Sequence, residues 1–137
     1  MGGPERLKLL LDTRIILWSA ADSERLPPGF LNELTSADAE LWFSPISVWE
    51  ILILAEKKRI RLKGDRIKAV RRMFQEIPAR EAALSREVAM QSRLVDLPHQ
   101  DPADRFLAAT ALVYGLTLAT ADKRIIDAAC VPVLSAL

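Results

Sequence analysis

Residues 7–13 read Leu7-Lys8-Leu9-Leu10-Leu11-Asp12-Thr13, and this stretch decides the fold class. A short apolar run that stops at Asp-Thr reads as a buried strand with a tight exit into a helix, expected here from Arg14 to Ala20. The same grammar recurs downstream. Leu41-Trp42-Phe43 is a second strand candidate, Leu116 to Ala119 a third and Val131 to Leu134 a last. Ser44-Pro45 and Asp101-Pro102 each combine an N-cap side chain with a proline at the first helical position, which predicts helices over Ile46 to Lys58 and Ala103 to Tyr114. Gly115 closes the second of these. Asp65 and Ser85 cap two more, reaching to about Glu76 and Val95. Phe30 to Leu34 fits a short helix after the Pro27-Pro28-Gly29 break, and Asp122 to Ala128 another. Short apolar strands alternating with helices predict an α/β domain with a mostly parallel sheet, because parallel neighbours need helical crossovers.

A chain of 137 residues suits one domain, and no repeat or linker divides it. At 50% hydrophobic and 27% charged it excludes disordered, collagen-like and low-complexity classes. The single cysteine, Cys130, cannot form an internal disulfide, and no Cys or His pair has zinc-ligand spacing. A reducing, cytoplasmic setting is therefore expected, and a bound metal would sit on oxygen. The longest apolar runs, such as Ile51 to Ala55, fall far short of the roughly 20 residues of a spanning helix. The N-terminal region lacks the apolar stretch of a signal peptide, so no membrane role is expected.

In parallel sheets ligands bind beyond the carboxyl ends of the strands, which directs attention to acids at those ends. Asp12 follows Leu9-Leu10-Leu11 directly, and Asp122 follows the run from Leu116 to Ala121. Taken singly, each reads equally well as a helix cap or turn former. Glu50 is the only charge between Pro45 and Ala55, and its helical neighbours Ile46, Ile53 and Leu54 place it on an apolar face. A buried carboxylate needs a partner; an ion pair with Arg14 or Arg105, or a capping box with Ser47, would each supply one. Asp104 lies three residues after Asp101, so Asp101 can cap the helix while Asp104 reaches back. Together, Asp12, Glu50, Asp104 and Asp122 are carboxylates that this topology can bring to one pocket. Like charges so placed repel, so either some protonate or a divalent cation joins them, and oxygen donors favour Mg2+ or Mn2+. Such an ion activates water and stabilises charge on a phosphoryl oxygen.

The net charge of +1 conceals a strong asymmetry. Lys57, Lys58, Arg59, Arg61, Lys63, Arg66, Lys68, Arg71 and Arg72 are opposed locally only by Asp65. That block is either a footprint for a polyanion or a solvated helical surface. Beside an acidic pocket it suits phosphodiester hydrolysis. The one histidine, His99, follows Pro98 in a loop expected outside the acidic set. Trp18, Trp42 and Trp49 fall within apolar patterns and read as core or dimer-interface residues.

Four landmarks occur in order: Leu9-Leu10-Leu11-Asp12-Thr13, Ser47-Val48-Trp49-Glu50-Ile51, Pro98-His99-Gln100-Asp101-Pro102-Ala103-Asp104-Arg105 and Leu118-Ala119-Thr120-Ala121-Asp122. In these the chain resembles PIN-domain ribonucleases, specifically the toxin subunits of VapBC-type toxin–antitoxin pairs, over nearly its whole length. The resemblance implies one PIN domain over residues 1–137, a three-layer α/β fold with a central, mostly parallel sheet flanked by helices. It implies a Mg2+- or Mn2+-dependent endoribonuclease that leaves a 5′-phosphate and a 3′-hydroxyl. Asp12, Glu50, Asp104 and Asp122 would be the catalytic, metal-binding carboxylates, with Thr13 and Thr120 supporting them and Asp101 auxiliary or capping. Arg14, Lys57, Lys58, Arg59, Arg61 and Lys63 would contact RNA, with an affinity that falls as salt rises. The implied partners are RNA, a cognate antitoxin and a second copy in a homodimer. Members of this subgroup often carry His after the first Asp-Thr and Arg before the later Asp-Pro, where Arg14 and Gln100 stand here. Other readings are a catalytically silent PIN-like module that assembles with a partner protein, a PIN nuclease serving RNA processing, and a phosphatase or phosphoreceiver built on Asp12. The last fares worst, because Arg14 stands where a haloacid-dehalogenase-like phosphatase needs its second Asp.

Overall fold

Strand β1 (Leu7–Leu11) forms the middle of the sheet in the computed structural model, which describes residues 6–137. Residues 1–5 of the expected domain lie outside the described ones. Helices α1 (Thr13–Ala21) and α2 (Pro28–Thr35) follow, then β2 (Ala39–Phe43), α3 (Pro45–Glu56), α4 (Arg66–Glu76) and β3 (Ala79–Glu81). The second half contributes α5 (Arg86–Ser92), α6 (Pro102–Tyr114), β4 (Thr117–Thr120), α7 (Lys123–Ala128) and β5 (Val133–Ser135). The five strands lie in the order β3-β2-β1-β4-β5, and every pairing is parallel.

Both faces of this sheet are covered, which is what near-continuous apolar strands require. Leu10 and Leu118 point into a core shared with Val88, Leu107 and Ile125 of α5, α6 and α7. Leu9, Leu11 and Ala119 point the other way, onto Ile15, Phe30, Ile51 and Val70 of α1 to α4. The alternation of side chains along a strand thus divides one leucine run between two cores, giving three layers. No helix among the described residues is long and apolar enough to cross a membrane.

The helix starts behave as their local chemistry dictates. Ser44, Asp65, Ser85, Asp101 and Asp122 each accept a backbone N–H in the first turn of the following helix. Two helix ends and one unexpected strand depart most from the sequence expectation. Helix α3 ends at Glu56 because Lys58 turns left-handed, at φ 58°. Helix α5 ends at Ser92, short of Val95, because Arg105 draws the carbonyls of Ser92 and Val95 out of any helical ladder. Strand β3 carries Arg80 and Glu81 on an edge with little buried surface, so it had no apolar run to announce it. Gly115 closes α6 at φ 68° and ψ 43°, where a Cβ is strained even though nothing lies within 4 Å of its position. Gly115→Ala should therefore cost about 1 kcal/mol, read as a lower urea midpoint at unchanged m-value.

Candidate active site

The chain leaves β1 toward β2 and β3 on one side and returns through β4 and β5 on the other. The carboxyl ends of β1 and β4 therefore flank the point where strand order reverses, the place where open α/β sheets form a crevice. Asp12 is the first residue beyond β1 and caps α1. Its Oδ1 accepts the Ile15 N–H at 3.0 Å, and its Oδ2 accepts the Thr120 hydroxyl. Thr120 ends β4 and itself accepts the Asp122 backbone N–H at 3.0 Å. One hydroxyl thus ties the two strand ends together. Asp12 is only 6% exposed, and burial pushes its carboxyl above the usual range against the hydrogen bonds from Thr120 and Ile15 and the charge of Arg14.

Glu50 enters from α3, which starts where β2 ends. The Ser44 side chain caps this helix at Ile46, so Ser47 lies inside it and forms no capping box with Glu50. The Ser47 hydroxyl instead accepts that of Thr13 at 2.9 Å, which fastens α1 to α3 behind the carboxylates. Arg14 and Arg105 form no ion pair with Glu50 among the described residues. Arg105 is spent elsewhere, on the carbonyls of Ser92, Val95, Leu97 and His99. Burial pushes the Glu50 carboxyl up, and the charges of Asp101, Asp104 and Asp12 add to this.

Asp101 caps α6 by accepting the Asp104 N–H at 3.2 Å. The Asp104 carboxylate turns to His99 instead, whose Nε2 lies 2.8 Å from its Oδ2, and to Arg124, 3.3 Å from the same oxygen. His99 is therefore part of the acidic set, contrary to its expected place in an outlying loop. Arg105 brings it there by binding the Leu97 carbonyl at 2.8 Å and that of His99 at 3.3 Å, folding the loop over the start of α6. Burial pushes Asp104 up, His99 opposes this, and Asp101 and Asp122 reinforce it. Asp122 caps α7 and is gripped by Arg124 at 3.0 Å. Burial would raise its carboxyl, but the side-chain and backbone bonds from Arg124 hold it below the usual range. The sequence reading missed Arg124 as well as His99. Its only local signal is a guanidinium two residues past a strand-end Asp.

Asp12, Glu50, Asp104 and Asp122 line a single cleft of about 200 Å³, together with Thr13, Arg14, Asp101 and Arg124. A second cleft of about 340 Å³ shares Glu50 and Asp101 and continues to Trp49, Lys57 and Arg59. Of the cations expected to meet RNA, Arg14, Lys57 and Arg59 border these clefts, whereas Lys58, Arg61 and Lys63 border neither. Trp49 joins neither core and is 48% exposed beside the second cleft. Among the described residues no three carboxylate, imidazole or thiol groups form a closed ion cage; His99 engages Asp104, and Arg124 engages Asp104 and Asp122. The donor chemistry nonetheless fits a hard divalent cation. It is oxygen-only on the carboxylates, and Asp12, Glu50 and Asp104 are all raised by burial, the electrostatic load that a dication relieves.

A family model described as the PIN domain matches residues 9–130. Ribonuclease VapC22 of Mycobacterium tuberculosis is 32% identical over 120 residues, covering 85% of this chain and 88% of that protein. In structure the chain is similar to VapBC2 from Rickettsia felis bound to a DNA fragment from its promoter, with a TM-score of 0.71 at 15% identity over 94% of this chain and 98% of that one. It is also similar to DNA-bound VapBC from Salmonella typhimurium, with a TM-score of 0.67 at 17% identity over 96% of this chain and 99% of that one. At those identities the two structures speak for the fold alone.

Proposed function

The chain belongs to the PIN domain family, and from that membership we propose that it is a metal-dependent endoribonuclease, the toxin of a type II toxin–antitoxin pair. The observation that carries this reading is the meeting of Asp12, Glu50, Asp104 and Asp122 in one cleft at the β1–β4 switch point. In this proposal those four carboxylates hold Mg2+ or Mn2+. When bound, the ion supplies an acidified water nucleophile and a Lewis acid for the phosphoryl oxygen.

The protein's own groups divide the remaining work. Asp12 presents a fixed carboxylate, because the Thr120 hydroxyl and the Ile15 N–H bind one oxygen each. Glu50 is paired with no cation among the described residues, which leaves its carboxylate free to face the ion and the attacking water. Thr13 and Thr120 keep the carboxylates in place, and Asp101 serves as the cap of α6. Arg14, Lys57 and Arg59 line the approach for the RNA backbone, with Lys58, Arg61 and Lys63 extending the positive surface beyond it. In this proposal water attacks phosphorus in line with the 3′-oxygen, the P–O3′ bond breaks and the 3′-oxygen leaves with a proton, giving a 5′-phosphate and a 3′-hydroxyl.

The structural neighbours are toxin–antitoxin complexes, which supports a cognate antitoxin as partner here. A homodimer would cover apolar side chains left on the surface, Trp49 on α3 and Leu112 and Val113 on α6. In this proposal residues 1–137 form one PIN domain that works in the cytoplasm. The test is cleavage of a mixed cellular RNA pool by antitoxin-free protein in Mg2+ or Mn2+, against the same reaction in chelator. Cutting in metal that stops in chelator is expected. A folded, antitoxin-free chain that cuts nothing would instead favour the silent binding module.

A further inference from the structure

Arg124 stands where a cation belongs. A terminal guanidinium nitrogen lies 3.0 Å from Asp122 Oδ2 and 3.3 Å from Asp104 Oδ2, while its Nε lies 3.3 Å from Asp122 Oδ1. One side chain thus spans two of the four carboxylates. The carboxylates are sheltered, at 14% and 17% exposure for Asp104 and Asp122, whereas the Arg124 side chain is 58% exposed. The geometry is that of a movable cation laid over a fixed acidic pair.

Holding α7 together does not require this arrangement. The helix cap is the backbone bond from Arg124 N to Asp122 Oδ1, at 2.9 Å, and any residue but proline at this position would donate it. The guanidinium and a divalent ion would compete for these oxygens. Divalent ions coordinate carboxylate oxygen at roughly 2.0–2.6 Å, and a guanidinium on the same oxygens would add repulsion between two cations at close range. The long, exposed side chain can leave without moving the backbone, and the anion then nearest to it is the phosphate of bound RNA.

We propose that Arg124 is a tethered counter-cation that competes with the divalent ion for Asp104 and Asp122, and that ion binding releases it to the RNA phosphate. This rests on the metal-dependent nuclease reading and adds to it an internal competitor. Because RNA offers the displaced guanidinium another anion, RNA and metal binding reinforce each other, and that coupling is reciprocal.

The experiment is titration of Mn2+ into antitoxin-free protein by calorimetry, with wild type, Arg124→Gln and Arg124→Lys compared, with and without an oligonucleotide whose bridging 3′-oxygens are replaced by methylene groups, which water cannot cleave. Without oligonucleotide, Arg124→Gln should bind Mn2+ about 3- to 10-fold more tightly than wild type, the scale of one or two exposed ion pairs. Arg124→Lys, which keeps the charge but not the planar fork, should fall between them. The oligonucleotide should tighten Mn2+ binding to wild type and leave Arg124→Gln unchanged. Equal or weaker Mn2+ binding by Arg124→Gln overturns the proposal while leaving the nuclease reading intact. Absence of Mn2+ binding in every form overturns both.

Discussion

Asp12→Asn is expected to lower metal-dependent RNA cleavage by about 1000-fold, the scale set by removing one preorganised electrostatic group from an active site, while raising the stability of the metal-free chain. The two effects have one origin. Asp12 is buried, capped by Ile15 and bonded by Thr120, and its folded-state pKa lies above the usual carboxylate value. A folded pKa above the unfolded one means that the native state holds the proton more tightly. Its contribution to stability is therefore present at low pH and lost as pH rises through the folded pKa. At neutral pH the buried anion opposes folding, and the amide removes that opposition. Melting in chelator should show Asp12→Asn above wild type at pH 7. It should also lose less stability between acid and neutral pH, with the residual slope carried by Glu50 and Asp104, which shift in the same direction. An Asn variant that melts with wild type at every pH would refute the electrostatic account, and one that cuts RNA normally would remove Asp12 from the site.

Arg105→Leu should produce the largest loss of stability, about 3–5 kcal/mol, the scale of leaving two or more buried carbonyls unsatisfied. Arg105 is 5% exposed and binds no carboxylate among the described residues. It donates instead to four carbonyls, those of Ser92 at 2.9 Å, Leu97 at 2.8 Å, Val95 at 3.1 Å and His99 at 3.3 Å. Its removal leaves buried carbonyls unsatisfied, each with its own desolvation cost, and releases the loop that carries His99 to Asp104. Arg105→Lys should recover little of this, since a single ammonium cannot span four acceptors arranged around a planar fork. Urea denaturation of both variants checks this. A lysine variant as stable as wild type would show that charge alone, rather than the fork, holds the loop.

Arg105 also marks the limit of what the sequence discloses. With Arg14 it was one of two cations offered as a partner for Glu50, yet its acceptors are backbone carbonyls whose convergence exists only after α5, the loop and α6 pack together. The helix starts were legible because a Ser or Asp before a helix acts on its own next turn, within four residues. Asp12, Asp104 and Asp122 were legible as lining one cleft because strand ends and the first turns of capped helices have predictable places in a parallel α/β sheet, and Glu50 because it is the only charge between Pro45 and Ala55 of α3. Strand β3 was not, since an exposed edge needs no apolar run. His99 and Arg124 were not, because each reaches Asp104 through tertiary placement, His99 by a folded loop and Arg124 across 20 positions of chain.

The pairing of β1 with β4 has a consequence for synthesis on the ribosome. Thr120 and Asp12, joined by one hydrogen bond, are 108 positions apart, and the chain is made in order from β1 onward. A nascent chain therefore carries Asp12 through most of its translation with no strand on one flank and no Asp104 or Asp122 to face it. The acidic cleft closes only once α6, β4 and α7 have emerged. In the proposed reading, a chain that stops before α6 lacks two of the four carboxylates and is expected to cut no RNA.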